Sequence, residues 1–91
     1  MEELALPAVL EIGSVQDLKE KFNQALQSDR NEIRINASQV VRADTASMQL
    51  IASFVKTAYA SDKEIHWSEV SEILSNNFRL LGLENFIFEK Q

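Results

Sequence analysis

The stretch "VVRADTASMQLIASF", Val40 to Phe54, changes its pattern within a few residues. An apolar pair leads into a short polar segment, and apolar side chains then recur at the three- and four-residue spacing of an amphipathic helix. Asp44 and Thr45 stand at the change. Asp and Thr are both favoured helix N-caps, because their side chains accept hydrogen bonds from first-turn amides. The stretch therefore predicts a strand followed directly by a helix that begins at about Thr45.

Two interpretations of the Asp44–Ser47 cluster are open at this point. In the structural one, Asp44 or Thr45 only caps the helix, which contributes about 1 kcal/mol. In the functional one, the Thr45 hydroxyl faces solvent and accepts a phosphate. The first amides of a helix lack internal partners, and the helix dipole favours negative charge there, so the fold would tolerate that phosphate.

Upstream of this stretch, the sequence predicts strand, helix and strand in turn. Apolar residues alternate from Leu4 to Ile12, and Pro7 lies among them, which indicates an edge strand or two short strands divided at Pro7. Ser14 fits the N-cap of a first helix. A polar loop follows, and "EIRIN" alternates as a strand.

Downstream, the second helix is predicted to run from about Thr45 to Ala60, followed by a strand around Ile65 and Trp67. Ser68 is the predicted cap of a third helix, whose apolar positions would be Val70, Ile73, Leu74, Phe78 and Leu81. Gly82 is placed to end that helix in the left-handed conformation, with Leu83 folding back. The segment "FIFEK" is a predicted last strand.

The predicted order is β(β)αβαβαβ, which is the α/β class. Strands that alternate with helices favour a mixed, mostly parallel sheet with right-handed crossovers and helices packed against it. The strand segment at the start of the chain, within Leu4 to Ile12, is the one that could pair antiparallel with a neighbouring strand. With 91 residues, the chain is expected to be one domain, residues 1–91.

Composition excludes several functional classes. The net charge is −5 and no basic run is visible, which argues against nucleic acid and anionic membranes as partners. There is no Cys, one His and no Gly-rich phosphate loop, so we expect no catalytic residue, no metal site and no cofactor. His66 is interpreted as a solvated strand residue. No apolar run is long enough to span a membrane, and we expect a cytoplasmic protein without direct membrane insertion.

The segment "INASQVVRADTASMQLI" resembles the motif of the STAS family, the bacterial anti-sigma factor antagonists. That motif is a strand, a turn, then Asp-Ser-Ser-Gly or Asp-Thr-Ala-Gly opening a helix. Asp44, Thr45 and Ala46 match its first three positions, whereas Ser47 stands where Gly is usual. "FRLLGLENFIF" and "LPAVLEIGSVQDLKEKFNQAL" resemble the end and the beginning of minimal STAS proteins, so the likeness covers about residues 4–89.

The resemblance implies a non-catalytic interaction module with a protein partner. In switch members of the family, a kinase-like anti-sigma factor binds the unmodified form and phosphorylates the residue that Thr45 matches. Other minimal STAS proteins are encoded among chemotaxis genes, where the partner would be a signalling protein. The expected partner-binding residues are Arg42, Asp44, Thr45, Ser47 and Gln49, with Thr45 as the phosphorylation candidate.

A second reading from a different class remains open. It is a constitutive cytoplasmic STAS subunit that holds the ABC ATPase of a phospholipid transport complex. In that branch of the family, Thr is common at the motif, and the hydroxyl would contact the partner without a phosphorylation cycle. A free-standing enzyme ranks last, because no pair of nucleophile and base can be named in the sequence.

Overall fold

Helices and strands alternate along the chain, as the apolar spacing predicts. The structure is a computed structural model that describes residues 2–11, 13 and 16–83. In that part of the chain the elements are β1 (Glu2–Ala5), β2 (Val9–Leu10), α1 (Gln16–Gln27), β3 (Glu32–Ala37), β4 (Arg42–Ala43), α2 (Thr45–Ala60), β5 (Glu64–Val70) and α3 (Glu72–Leu80). The Ser14 cap and the strand at "FIFEK" lie outside the described residues.

The strands form a three-stranded sheet in the order β1-β3-β5 and a two-stranded sheet of β2 and β4. All of these described pairs are parallel. Parallel neighbours need a crossover, and α1 and α2 supply the two crossovers of the larger sheet. This confirms the α/β fold class.

The candidate antiparallel pairing of the first segment is wrong for β1. Leu4 lies beside Ile35 in a parallel register, and both side chains are buried in the core. The chain leaves β1, passes Pro7 and forms β2 before α1 carries it back to β3. Because this return is a crossover and not a hairpin, β3 runs in the same direction as β1. The predicted division at Pro7 is confirmed.

One face of the larger sheet carries the core. Ile33 and Ile35 of β3 are fully buried, and α1 and α2 pack together through Phe22 and Phe54. These two rings stack with centroids 4.1 Å apart and planes 6° from parallel. Burying each such side chain contributes about 1.5–3 kcal/mol before the entropy cost of ordering the chain. The aromatic pair thus fixes α1 against α2.

The third helix begins later than predicted. Strand β5 continues to Val70, and the cap is Ser71, whose hydroxyl accepts a hydrogen bond from the Leu74 amide at 3.2 Å. Ser68, the predicted cap, lies in the strand, and its hydroxyl donates to the Ile35 carbonyl at 3.3 Å. Ile73, a predicted core position, is 46% exposed.

A β-bulge explains this shift. Ile35 pairs with Trp67 but the next residue, Asn36, pairs with Glu69, so Ser68 is an extra residue in β5. The bulge interrupts the two-residue alternation at the point where the sequence suggests that the strand ends.

The end of α3 agrees with the prediction. Gly82 has φ of 71°, and the Leu83 amide donates to the Phe78 carbonyl at 2.7 Å. The Gly82 amide donates to the Arg79 carbonyl at 3.1 Å, which completes a Schellman motif. Leu81, by contrast, is 40% exposed and does not belong to the core stripe that the sequence predicts.

Candidate functional site

The start of α2 is held in place by Asp44. Its amide donates to the Leu10 carbonyl of β2 at 2.9 Å, and its carbonyl accepts from the Met48 amide at 3.1 Å. Its carboxylate accepts from the Ser47 amide at 2.8 Å. Asp44 has an extended backbone, with φ of −88° and ψ of 169°, as expected for an N-cap. Asp44 therefore ties the start of α2 to β2.

Thr45 is the first residue of α2, and it is exposed. The prediction that this residue lies in the first turn and faces solvent is confirmed. Asp44 is the cap, and within the described residues the Thr45 hydroxyl has no hydrogen-bond partner. Of the two open interpretations, capping therefore accounts for Asp44 but not for the Thr45 hydroxyl.

Ser47 lies elsewhere than expected. Its side chain is completely buried, and its Oγ has no hydrogen-bond partner among the described residues. The expectation that Ser47 is an exposed partner contact is therefore wrong for this conformation. The reason is helical geometry: Ser47 and Met48 point inward, whereas positions 45 and 49 share the outer face.

The two remaining predicted contacts are on the surface. Arg42 is exposed in β4, and Gln49 is exposed one turn after Thr45. Gln49 also lines a shallow groove along the outer side of α2, together with Lys56 and Leu83. Arg42, Asp44, Thr45 and Gln49 thus line one end of the domain in chain order.

Residues of α3 complete this end of the domain, and the sequence reasoning missed them. A groove of about 190 Å³ separates the start of α2 from α3, and it is lined by Ala43, Thr45, Met48, Asn77, Leu80 and Leu81. The Asn77 amide donates to the Ala43 carbonyl at 3.5 Å, which links α3 to β4. A signal was present: Leu80 and Leu81 are consecutive, and a helix cannot turn both toward one core.

Two of the side chains that line this groove are exposed and apolar: Leu80 is 83% exposed and Leu81 is 40% exposed. Val41, directly before β4, is 63% exposed. Clusters of exposed apolar groups on a small domain mark interaction sites more often than single ones do. We call the exposed residues Val41, Arg42, Thr45, Gln49, Leu80 and Leu81 the α2–α3 surface.

A second group of side chains lies on the sheet. Strands β3 and β5 bring the side chains of Glu32, Glu64 and His66 together, and one ligand atom from each lies within 4.8 Å of the other two. The expectation of no metal site stays a prediction. The prediction that His66 lies in a strand is confirmed.

Comparison with known proteins identifies a family. The family model described as "Mlab, STAS domain" matches residues 2–89, which is nearly the whole chain. No curated protein matches the chain. None of the described helices, which lie within residues 16–83, is long and apolar enough to cross a membrane.

Proposed function

The chain belongs to the STAS family, and on this premise we propose that it is a non-catalytic module that binds and regulates a partner protein through the α2–α3 surface. STAS domains act through protein interaction. The surface joins hydrogen-bonding groups at a helix start to exposed apolar side chains, and protein interfaces commonly combine both.

One observation carries the regulatory part of the proposal. Thr45 is exposed, stands at the first position of α2, and is not needed as a cap because Asp44 is the cap. A kinase-like anti-sigma factor can reach such a hydroxyl, and the fold does not depend on it. Thr45 is therefore the candidate phosphorylation site.

Phosphate at Thr45 would act on the partner and not on the fold. It adds about −1.5 to −2 charges and three acceptor oxygens beside Asp44. The helix start favours an added anion by about 0.3–1 kcal/mol. A partner surface shaped for the neutral hydroxyl would meet like-charge repulsion and lose hydrogen bonds. A penalty of about 3 kcal/mol weakens binding roughly a hundredfold.

A second candidate function is a constitutive subunit bound to the ABC ATPase of a phospholipid transport complex. The exposure of Leu80 and Val41 favours it, because permanent interfaces are more apolar than transient ones. Here the Thr45 hydroxyl contacts the partner and is never modified.

Affinity capture from native lysate separates the two candidates. The baits are the wild type, Thr45→Ala, Thr45→Glu and, as a control, Thr57→Glu, which places the same change at an exposed threonine near the other end of α2. Mass spectrometry then identifies the partner and any phosphate on Thr45. Titration calorimetry with the isolated partner follows.

If phosphorylation of Thr45 regulates binding, Thr45→Ala and Thr57→Glu should bind the partner like the wild type. Thr45→Glu should bind it about a hundredfold more weakly. Equal affinity of all four proteins, with an ABC ATPase as the partner and no phosphate on Thr45, supports the constitutive subunit. Capture that is unchanged when Leu80 is replaced, as in Leu80→Glu, contradicts the α2–α3 surface in both readings.

A further inference from the structure

The larger sheet places two like charges side by side. Glu32 of β3 and Glu64 of β5 are direct partners in the parallel register, and both are exposed. Like charges directly opposite each other destabilise a strand pair. A cation bound between the two carboxylates would attract both of them and would turn this repulsion into a net attraction.

His66 adds a nitrogen ligand to this pair. It lies two residues after Glu64, so its side chain projects from the same face of β5. One ligand atom from each of Glu32, Glu64 and His66 can be chosen so that all three lie within 4.8 Å of one another. The His66 Nε2 atom is 3.3 Å from the Glu64 Oε1 atom.

The state of the imidazole nitrogen is the second observation. Nε2 is shielded from solvent and makes no hydrogen bond of full geometry with the described residues, although the Glu64 Oε1 atom lies 3.3 Å away as an ion-pair partner. The side chains themselves stay open, with His66 42% and Glu64 65% exposed, so an ion can enter from solvent. A shielded nitrogen beside a carboxylate oxygen is an arrangement that a shared metal ion would satisfy.

We propose that Glu32, Glu64 and His66 form a surface site for a divalent transition-metal ion, with Zn²⁺ as the ion that fits best. Zinc takes mixed nitrogen and oxygen ligands in tetrahedral geometry. Zn–ligand bonds of about 2.0–2.1 Å place neighbouring ligand atoms about 3.3 Å apart. The Glu64–His66 distance already has this value, and a carboxylate oxygen of Glu32 lies within 4.8 Å of a ligand atom of each of these residues. The imidazole favours zinc over magnesium or calcium, which prefer oxygen ligands.

The neighbouring charges set the strength of the site. Arg34 is the register partner of His66 and carries a positive charge on the same face. Glu3 is the register partner of Arg34 on its other side. We expect the positive charge of Arg34 to weaken cation binding at this site.

The test is a titration of the full chain with ZnCl₂. Calorimetry measures the binding, and NMR records the signals of the imidazole during the titration. His66 is the only histidine in the sequence, so its ring signals report this site alone. We expect one Zn²⁺ per chain and a change in the His66 signals. His66→Gln and Glu64→Gln should each lower the affinity at least about tenfold. Glu69→Gln, the same change at another exposed carboxylate of β5, is the matched control and should bind like the wild type.

Three results would overturn the proposal. The first is no binding to the folded wild type. The second is equal Zn²⁺ affinity in the wild type and His66→Gln, which would place the ion elsewhere. The third is equal affinity for MgCl₂ and ZnCl₂, which would indicate only diffuse attraction to acidic groups. Circular dichroism of each variant verifies that the fold is retained.

Discussion

The Asp44 carboxylate accepts a hydrogen bond from the Ser47 amide at 2.8 Å, across the first turn of α2. Because Asp44 makes this bond, Asp44 is the residue of the motif that caps the helix. The hydroxyl of Thr45 is not needed as a cap. The bond also joins a half-buried residue, Asp44, to a fully buried one, Ser47.

Asp44→Ala should lower the free energy of unfolding by about 1 kcal/mol, because an amide at the helix start loses its acceptor. For a domain of this size, that corresponds to a melting temperature about 4–8 °C lower. Asp44→Asn keeps an acceptor oxygen and should recover most of the loss. Urea unfolding measures both. If Asp44→Ala melts like the wild type, the cap contributes nothing.

Thr45→Glu should leave the melting temperature within about 4–8 °C of the wild type, the equivalent of at most 1 kcal/mol. The residue is exposed, and the helix dipole favours the added charge even though Asp44 is near. Differential scanning calorimetry measures this. A much larger loss would mean that any effect of the substitution on partner binding reflects unfolding.

Ser47→Ala should raise stability by about 1 kcal/mol, because it removes a buried hydroxyl that has no partner among the described residues. Ser47→Gly, which restores the residue usual in the motif, should be about 1 kcal/mol less stable than Ser47→Ala because glycine is a poor helix former. Urea unfolding of the three proteins gives the order. Destabilisation by Ser47→Ala would indicate that the hydroxyl is hydrogen-bonded in solution.

Lys63→Met should cost about 3 kcal/mol. The lysine is only 7% exposed, and its Nζ donates to the Ser28 carbonyl at 2.9 Å and the Arg30 carbonyl at 2.6 Å. Each hydrogen bond to a charged group contributes about 1.5–3 kcal/mol, and methionine leaves both carbonyls without this donor. Lys56→Met, at an exposed lysine of α2, is the control and should change stability little. Similar losses in the two variants would contradict a special role for Lys63.

Gly82→Ala should cost about 1 kcal/mol, because φ of 71° is unfavourable for any residue with a Cβ. Apart from Gly82 and its chain neighbours, no atom of the described residues lies within 4 Å of the position that this Cβ would take, so the cost is conformational and not steric. Gly13→Ala meets no neighbour either and serves as the control. Thermal unfolding should separate the two variants. Equal melting temperatures would mean that the end of α3 can adopt another conformation.

Local patterns predict much of this molecule. The alternation of strands and helices, the division at Pro7, the helix start at Thr45 and the end of α3 at Gly82 each depend on a few consecutive residues. Short-range chemistry determines such features. The family motif lies at one of them, which is why its exposed threonine could be predicted.

Long-range pairing explains what the sequence did not predict. The bulge at Ser68 depends on how β5 aligns with β3, and it moves the start of α3 to Ser71. The meeting of Glu32 with Glu64 depends on the same alignment. No pattern within either strand contains this register, so neither the bulge nor the carboxylate pair could be inferred from it.

The parallel pairing of β1, β3 and β5 also governs how the chain reaches this structure. Each strand pairs with one that lies beyond a whole crossover helix, as in the pairs Leu4–Ile35 and Ile33–Ile65. No two described strands of this sheet are joined by a local hairpin, so the entropy of closing long loops is lost before their hydrogen bonds form. Domains dominated by such distant contacts fold more slowly than helical bundles of equal stability. The helices α1 and α2 can form early, whereas the sheet that holds the Glu32–Glu64 pair must wait for the chain to fold back on itself twice.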